Sequence, residues 1–101
     1  MSAAEREDRR RELPSVVLQG PGEPCLVLGR PKPALRTDEY RAVQALLAAY
    51  PTALTRAALE RIAGSAAHGA LVRLRKKDTR WSEAIRMPGR RGDGGYRLSQ
   101  A

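Results

Sequence analysis

Apolar positions along this chain change their spacing from segment to segment, and the spacing predicts the elements. Residues 15–19 (SVVLQ) and 24–29 (PCLVLG) are short β-branched and aliphatic runs separated by Gly20-Pro21-Gly22, a turn, so the pair predicts a β-hairpin. Residues 30–34 (RPKPA) carry two prolines and predict an extended connector. From Tyr40 the period becomes helical: Tyr40, Val43, Leu46, Leu47 and Tyr50 form one apolar stripe. Thr37 is the expected cap of this helix, Asp38 and Glu39 suit the positive end of its dipole, and Pro51 stops it. A second, shorter helix opens at Leu54 and Thr55, with Thr55 as cap and Ala58, Leu59 and Ile62 facing inward. Gly64 stands where a helix C-terminus takes a left-handed residue.

A third helix is expected over residues 65–78, with Ala67, Leu71 and Leu74 on its inward side. At about 100° per residue the opposite side carries Ser65, Gly69, Val72, Arg73 and Lys76, with Ala66 and His68 on its margins. A polar link holding Trp81 follows, then a strand over residues 84–87, a flexible turn over 88–94 (PGRRGDG) and a returning strand over 95–98 (GYRL). Residues 1–12 have almost no apolar content and read as a disordered or frayed leader, which leaves 13–101 as one domain.

Composition narrows the picture. There is no Phe and a single Trp, so the core is small and aliphatic, which suits short packed helices better than a large sandwich. No apolar run approaches the roughly 20 residues of a membrane span, and the charged N-terminus offers no signal peptide. One cysteine, Cys25, has no internal disulfide partner, fits a reducing cytoplasm and is expected as a small buried hydrophobe. The sole histidine, His68, lacks companions for a metal site and is expected to be satisfied or solvent-facing, with a phosphate or base contact as the alternative. No nucleophile setting, paired acids or phosphate-cradling motif appears, so the expectation is no catalysis, no cofactor, no metal and no small-molecule ligand.

The formal net charge is +8, and its location matters more than its size. Four arginines balance four acids in residues 1–12, so the excess sits in residues 13–101, 15 Lys/Arg against 7 Asp/Glu. Residues 73–91 alone hold eight basic residues against Asp78 and Glu83, a patch able to attract a polyanion.

The predicted order is therefore hairpin, helix, helix, helix, hairpin: an α+β winged helix, with a three-helix helix-turn-helix core, a C-terminal β-hairpin wing and an N-terminal β-hairpin. The connection around Gly64 is about two residues, and a tight glycine turn between a short helix and a basic one is the arrangement that puts the second helix in the major groove. The residues expected to face DNA are Ser65, Ala66, His68, Gly69, Val72, Arg73, Lys76, Lys77 and Arg80, with Arg90 and Arg91 at the glycine-rich hairpin tip.

From Thr37 to Leu98 the chain resembles the winged-helix effector domain of OmpR-type response regulators. The residues that carry the likeness are Thr37-Asp38-Glu39-Tyr40, Leu54-Thr55-Arg56, the run Leu71-Val72-Arg73-Leu74-Arg75-Lys76-Lys77, and Gly92-Asp93-Gly94-Gly95-Tyr96-Arg97-Leu98. The resemblance implies base and phosphate contacts from Gly69, Val72, Arg73 and Lys76 and a wing contact from Arg90 or Arg91. Two features differ from the family: the turn between the second and third helices is shorter than its polymerase-contacting loop, and the N-terminal hairpin has two strands where the family usually has four.

The expected partner is double-stranded DNA, in transcriptional control, with a cytoplasmic, nucleoid-associated location. A single module of this size buries roughly 600–1,000 Å² of protein surface, so tight specific binding calls for a homodimer, a tandem array or a protein partner. Two other readings stay open. The same scaffold serves as a protein-interaction adaptor if Val17, Leu26 and Leu28 form an exposed apolar patch, and the same basic surface takes structured RNA if Trp81 is exposed for stacking.

Overall fold

The computed structural model describes residues 13–89 and 94–101. It is an α+β fold of four helices and small antiparallel sheets. The first sheet holds β1 (Val16–Val17), β2 (Cys25–Val27) and β3 (Arg30–Lys32) in that order. Sequence expectation gave two strands; the third comes from the proline-rich segment read as a connector. Val27 pairs with Arg30, leaving Leu28 and Gly29 as a two-residue loop. Both have positive φ, 51° and 79°, the conformation of a type I′ turn, and Leu in place of the usual Asn or Asp hides it from a sequence reading. Pro31 pairs with Leu26 one step beyond the closing pair, so its missing N–H falls on the outer edge of an edge strand, where no ladder bond is lost.

Helix α1 (Thr37–Ala49) begins one residue earlier than expected, with Arg36 at the cap position and Thr37 already helical. Glu39 explains the shift. At the third helical position it reaches back, and the Arg36 backbone N–H donates to its Oε1 at 3.0 Å, which satisfies an orphan donor and accounts for a buried carboxylate. Helix α2 (Arg56–Ala63) starts as expected, with the Ala58 N–H donating to Thr55 Oγ1 at 3.1 Å. It ends at Gly64, whose φ of 95° is one that a residue with a Cβ rarely adopts. Helix α3 (Ala67–Lys77) follows a three-residue turn. Helix α4 (Thr79–Ala84) stands where a polar link was expected. Asp78 caps it by accepting the Arg80 N–H at 2.7 Å, and Trp81 and Ala84, three residues apart, bury its inner side.

The chain closes with β4 (Ile85–Arg86) antiparallel to β5 (Arg97–Leu98), a shorter hairpin than expected. Leu54 joins its edge: the backbones of Leu54 and Tyr96 exchange hydrogen bonds of 2.8 Å in both directions. Gly95 makes that approach possible, since its φ is +61° and a Cβ there would stand 2.8 Å from the Leu54 carbonyl oxygen. Beyond β5 the chain runs back beside β1, with Ser15 N–H donating to Ser99 O and Ala101 N–H to Leu13 O, each at 2.8 Å. Ser15 Oγ and Ser99 N–H both donate to the Ala84 carbonyl, one of the free carbonyls at the end of α4.

One core links these elements. Leu46 of α1, Leu59 of α2, Leu71 and Leu74 of α3, Trp81 of α4 and Val16, Val27, Ile85 and Leu98 of the strands are all buried within it. Cys25 is buried there too, as expected, and burial pushes its thiol pKa up. Two assignments of the core are corrected. Ile62, expected inward, is 62% exposed, because α2 turns Leu59 and Ala63 to the core and leaves Ile62 outside that arc. Tyr40, expected in the core, is half-buried and stands outside it. Among the described residues, no helix is long and apolar enough to cross a membrane.

Candidate nucleic-acid interface

Helix α3 is held between α1 and α4, with Ala67, Ala70, Leu71 and Leu74 fully buried. That packing leaves one flank free, and Gly69, Arg73 and Lys76 are exposed along it, with Val72 half-buried among them. Ser65 and Ala66 are exposed in the turn that leads into this face, and Lys77 is exposed in the last turn. Arg80 lies on α4, half-buried, and so belongs to a separate helix from the residues it was grouped with. Arg90 and Arg91 lie outside the described residues.

The electrostatics of the face are uneven. Arg73 Nη2 donates to Asp38 Oδ2 at 2.5 Å, so the most central cation of α3 is paired with the first turn of α1. A slight burial raises the Asp38 pKa, but the Arg73 hydrogen bond, the Glu39 backbone N–H and the charges of Arg73 and Arg36 outweigh it, and the net direction is down. Lys76 and Lys77 have no carboxylate within 4.0 Å among the described residues. At the far end of α3, Lys32 of β3 donates to Asp78 at 2.6 Å, which with the Arg80 N–H holds the Asp78 carboxyl below its ordinary pKa.

His68 is satisfied within the protein. Its Nδ1 lies 2.8 Å from the Tyr96 hydroxyl, and the two rings meet edge to face at 5.9 Å. Tyr96 is buried at the base of the hairpin, so this contact and the Leu54 bridge tie β5 to the start of α3 and to the entry of α2. His68 thus braces the hairpin against α3. Trp81 is 3% exposed and presents no stacking surface.

Sequence reasoning missed a pair of residues on the hairpin. Arg86 and Arg97 face each other directly across β4 and β5, and both are exposed. Like charges directly opposite are destabilising, so the hairpin carries a cationic pair that folding alone disfavours. The signal was the strand register, which the individual arginines do not reveal.

Compared with models of protein families, with curated proteins and with solved structures, the chain matches none.

Proposed function

We propose that this chain is a winged helix-turn-helix domain that binds double-stranded DNA, as a transcriptional regulator of the kind represented by OmpR-type effector domains. The observation that carries the reading is the exposed flank of α3, small at Gly69 and at Ser65 and Ala66 of the turn that leads into it and basic at Arg73, Lys76 and Lys77, beside a hairpin bearing Arg86 and Arg97. In this reading α2, the turn at Gly64 and α3 are the helix-turn-helix, and the two-stranded β4–β5 hairpin, with the Leu54–Tyr96 bridge at its edge, is the wing. Small residues at the N-terminal half of α3 admit close approach to the major groove, which at about 12 Å accepts one helix. Lys76 and Lys77 neutralise phosphates, and the wing arginines reach the flanking backbone or minor groove.

The test is fluorescence anisotropy with a random 25-base-pair DNA duplex, an RNA duplex and a single strand, each over a salt series. Preference for duplex DNA with a steep salt slope, weakened in an Arg86→Ala/Arg97→Ala variant and in a Lys76→Ala/Lys77→Ala variant, supports the reading. Weak, flat binding to all three overturns it. One observation favours a second reading as a protein adaptor: Val17 and Leu13 are 51% and 53% exposed, and Val17 pairs with the half-buried Leu26 on one sheet. The buried Trp81 removes the feature that favoured structured RNA.

A further inference from the structure

Arg73 stands at the centre of the exposed face of α3, yet its charge is already paired. Asp38, from the first turn of α1, takes one N–H of Nη2 at 2.5 Å. Half of the Arg73 side chain remains exposed, and its Nη1 lies 3.8 Å from the point where a Cβ on Gly69 would sit. The guanidinium is therefore drawn back along α3 over Gly69, toward the N-terminal half of the helix, with donors still open to solvent. In the helix-turn-helix docking mode that half of the second helix is the part that meets base edges.

Two physical consequences follow from this geometry. A guanidinium neutralised by an adjacent carboxylate is a poor phosphate ligand, since an approaching phosphate meets Asp38 as well as Arg73. Its remaining N–H donors are unaffected as hydrogen-bond donors to a neutral acceptor. The pairing also fixes a long side chain that is otherwise free to change rotamer, which lowers the ordering cost of a directional contact. The neutral major-groove partner that takes two parallel donors from arginine is guanine, through O6 and N7.

We infer that Asp38 is a positioning residue that holds Arg73 for guanine readout, so that the site selects duplexes with a guanine at one fixed position. The inference rests on the DNA-binding reading above. It separates the roles along α3: Arg73 reads a base, while Lys76 and Lys77 hold the backbone. It also gives Gly69 a role, as the open floor on which the guanidinium lies.

The experiment selects bound molecules from a random 25-base-pair duplex library with the full chain, sequences them, and repeats this with Asp38→Asn and Arg73→Lys. Anisotropy against the unselected library over a salt series runs alongside. The wild-type chain is expected to enrich guanine at one position, and both variants to lose that preference by about fivefold or more, the discrimination expected of one bidentate base contact. Asp38→Asn is expected to bind the unselected library at least as tightly as wild type. Its salt slope should steepen by about 0.9 as the released Arg73 reaches a phosphate. A merely structural role for Asp38 would instead weaken selected and unselected duplexes alike, with the guanine preference intact, and that result overturns the inference. A wild-type chain that binds duplex DNA without base preference also overturns it while leaving DNA binding standing. A chain that binds no duplex at all overturns both. Should Asp38→Asn fail to fold, Arg73→Lys decides alone: it keeps the charge but lacks the planar fork, and a retained guanine preference refutes base reading by Arg73.

Discussion

Replacing Gly69 with alanine should make this protein more stable. The residue lies inside α3, is exposed, and has no positive φ to forbid a side chain. A Cβ there would meet one atom within 4 Å, Arg73 Nη1 at 3.8 Å, which is ordinary van der Waals contact. There is no clash to subtract, and because Gly69 lies in the first turn rather than mid-helix the gain is about 0.4–1 kcal/mol. For a domain of this size that raises Tm by roughly 2–8 °C. The assay is a pair of thermal melts by circular dichroism, backed by urea midpoints at unchanged m. A Tm equal to or below wild type would refute the reasoning, since it would mean that the backbone at Gly69 is not open or not helical. Duplex affinity measured on the same sample is expected to fall despite the stability gain. An exposed helical glycine that costs the fold up to about 1 kcal/mol is explained if its surface is needed for close approach, the usual form of a stability–function trade-off.

Gly95→Ala should act in the opposite direction, losing about 1–3 kcal/mol in urea unfolding, because its φ is +61° and its Cβ would press on the Leu54 carbonyl; an unchanged midpoint would contradict the described bridge. Arg97→Thr relieves the like-charge pair across the hairpin, so stability should rise by a few tenths to about 1 kcal/mol while the salt slope for random duplex falls by about 0.9; a loss of both stability and slope would argue that Arg86 and Arg97 do not oppose each other. Ile62→Ala should change stability by no more than about 0.5 kcal/mol, as befits a side chain 62% exposed, and a loss of 2–5 kcal/mol would return Ile62 to the core. The Asp38 pKa is lowered in the folded protein, so its stabilising contribution is present above the unfolded value of about 3.9 and disappears as pH falls through the folded value. Stability of the wild type should therefore drop more steeply below about pH 4 than that of Asp38→Asn, and parallel acid profiles would remove the pairing with Arg73 from the account.

The helices were the legible part of the sequence, and the reason is local. Leu46, Leu59, Leu71 and Leu74 announce their buried faces through spacing alone, and Thr55 and Gly64 mark the two ends of α2 with residues suited to those positions. Helix α4 was missed although Asp78, Trp81 and Ala84 carry its cap and inner face, because six residues are too few for a period to stand out. Strand β3 was hidden by Pro31, which normally argues against a strand and is tolerated here only because its nitrogen points off the sheet edge. Ile62 shows the limit of periodicity: on a helix of eight residues several arcs fit the apolar positions, and packing against α1 and α3 selects among them. The face of α3 could be drawn from the sequence residue by residue. Its electrostatics could not, since Asp38 and Arg73 are 35 positions apart and no local rule pairs them. Nor could the hydrogen bond of His68 to Tyr96, or the opposition of Arg86 and Arg97, which exist only once the hairpin has its register.

The backbone bonds between residues 13–15 and 99–101 set the two ends of the described domain side by side, one ladder apart, a separation of about 5 Å. A unit whose ends meet in this way can be spliced into a surface loop of another protein without prying the host open, and its own ends can be joined and new ones cut elsewhere. The glycine turn at residues 20–22, exposed at Pro21 and Gly22, is a natural place for such a cut. A circular permutant opened there would keep α1 through β5 on one uninterrupted stretch of chain, so the basic face could be carried into a fusion as a self-contained cassette.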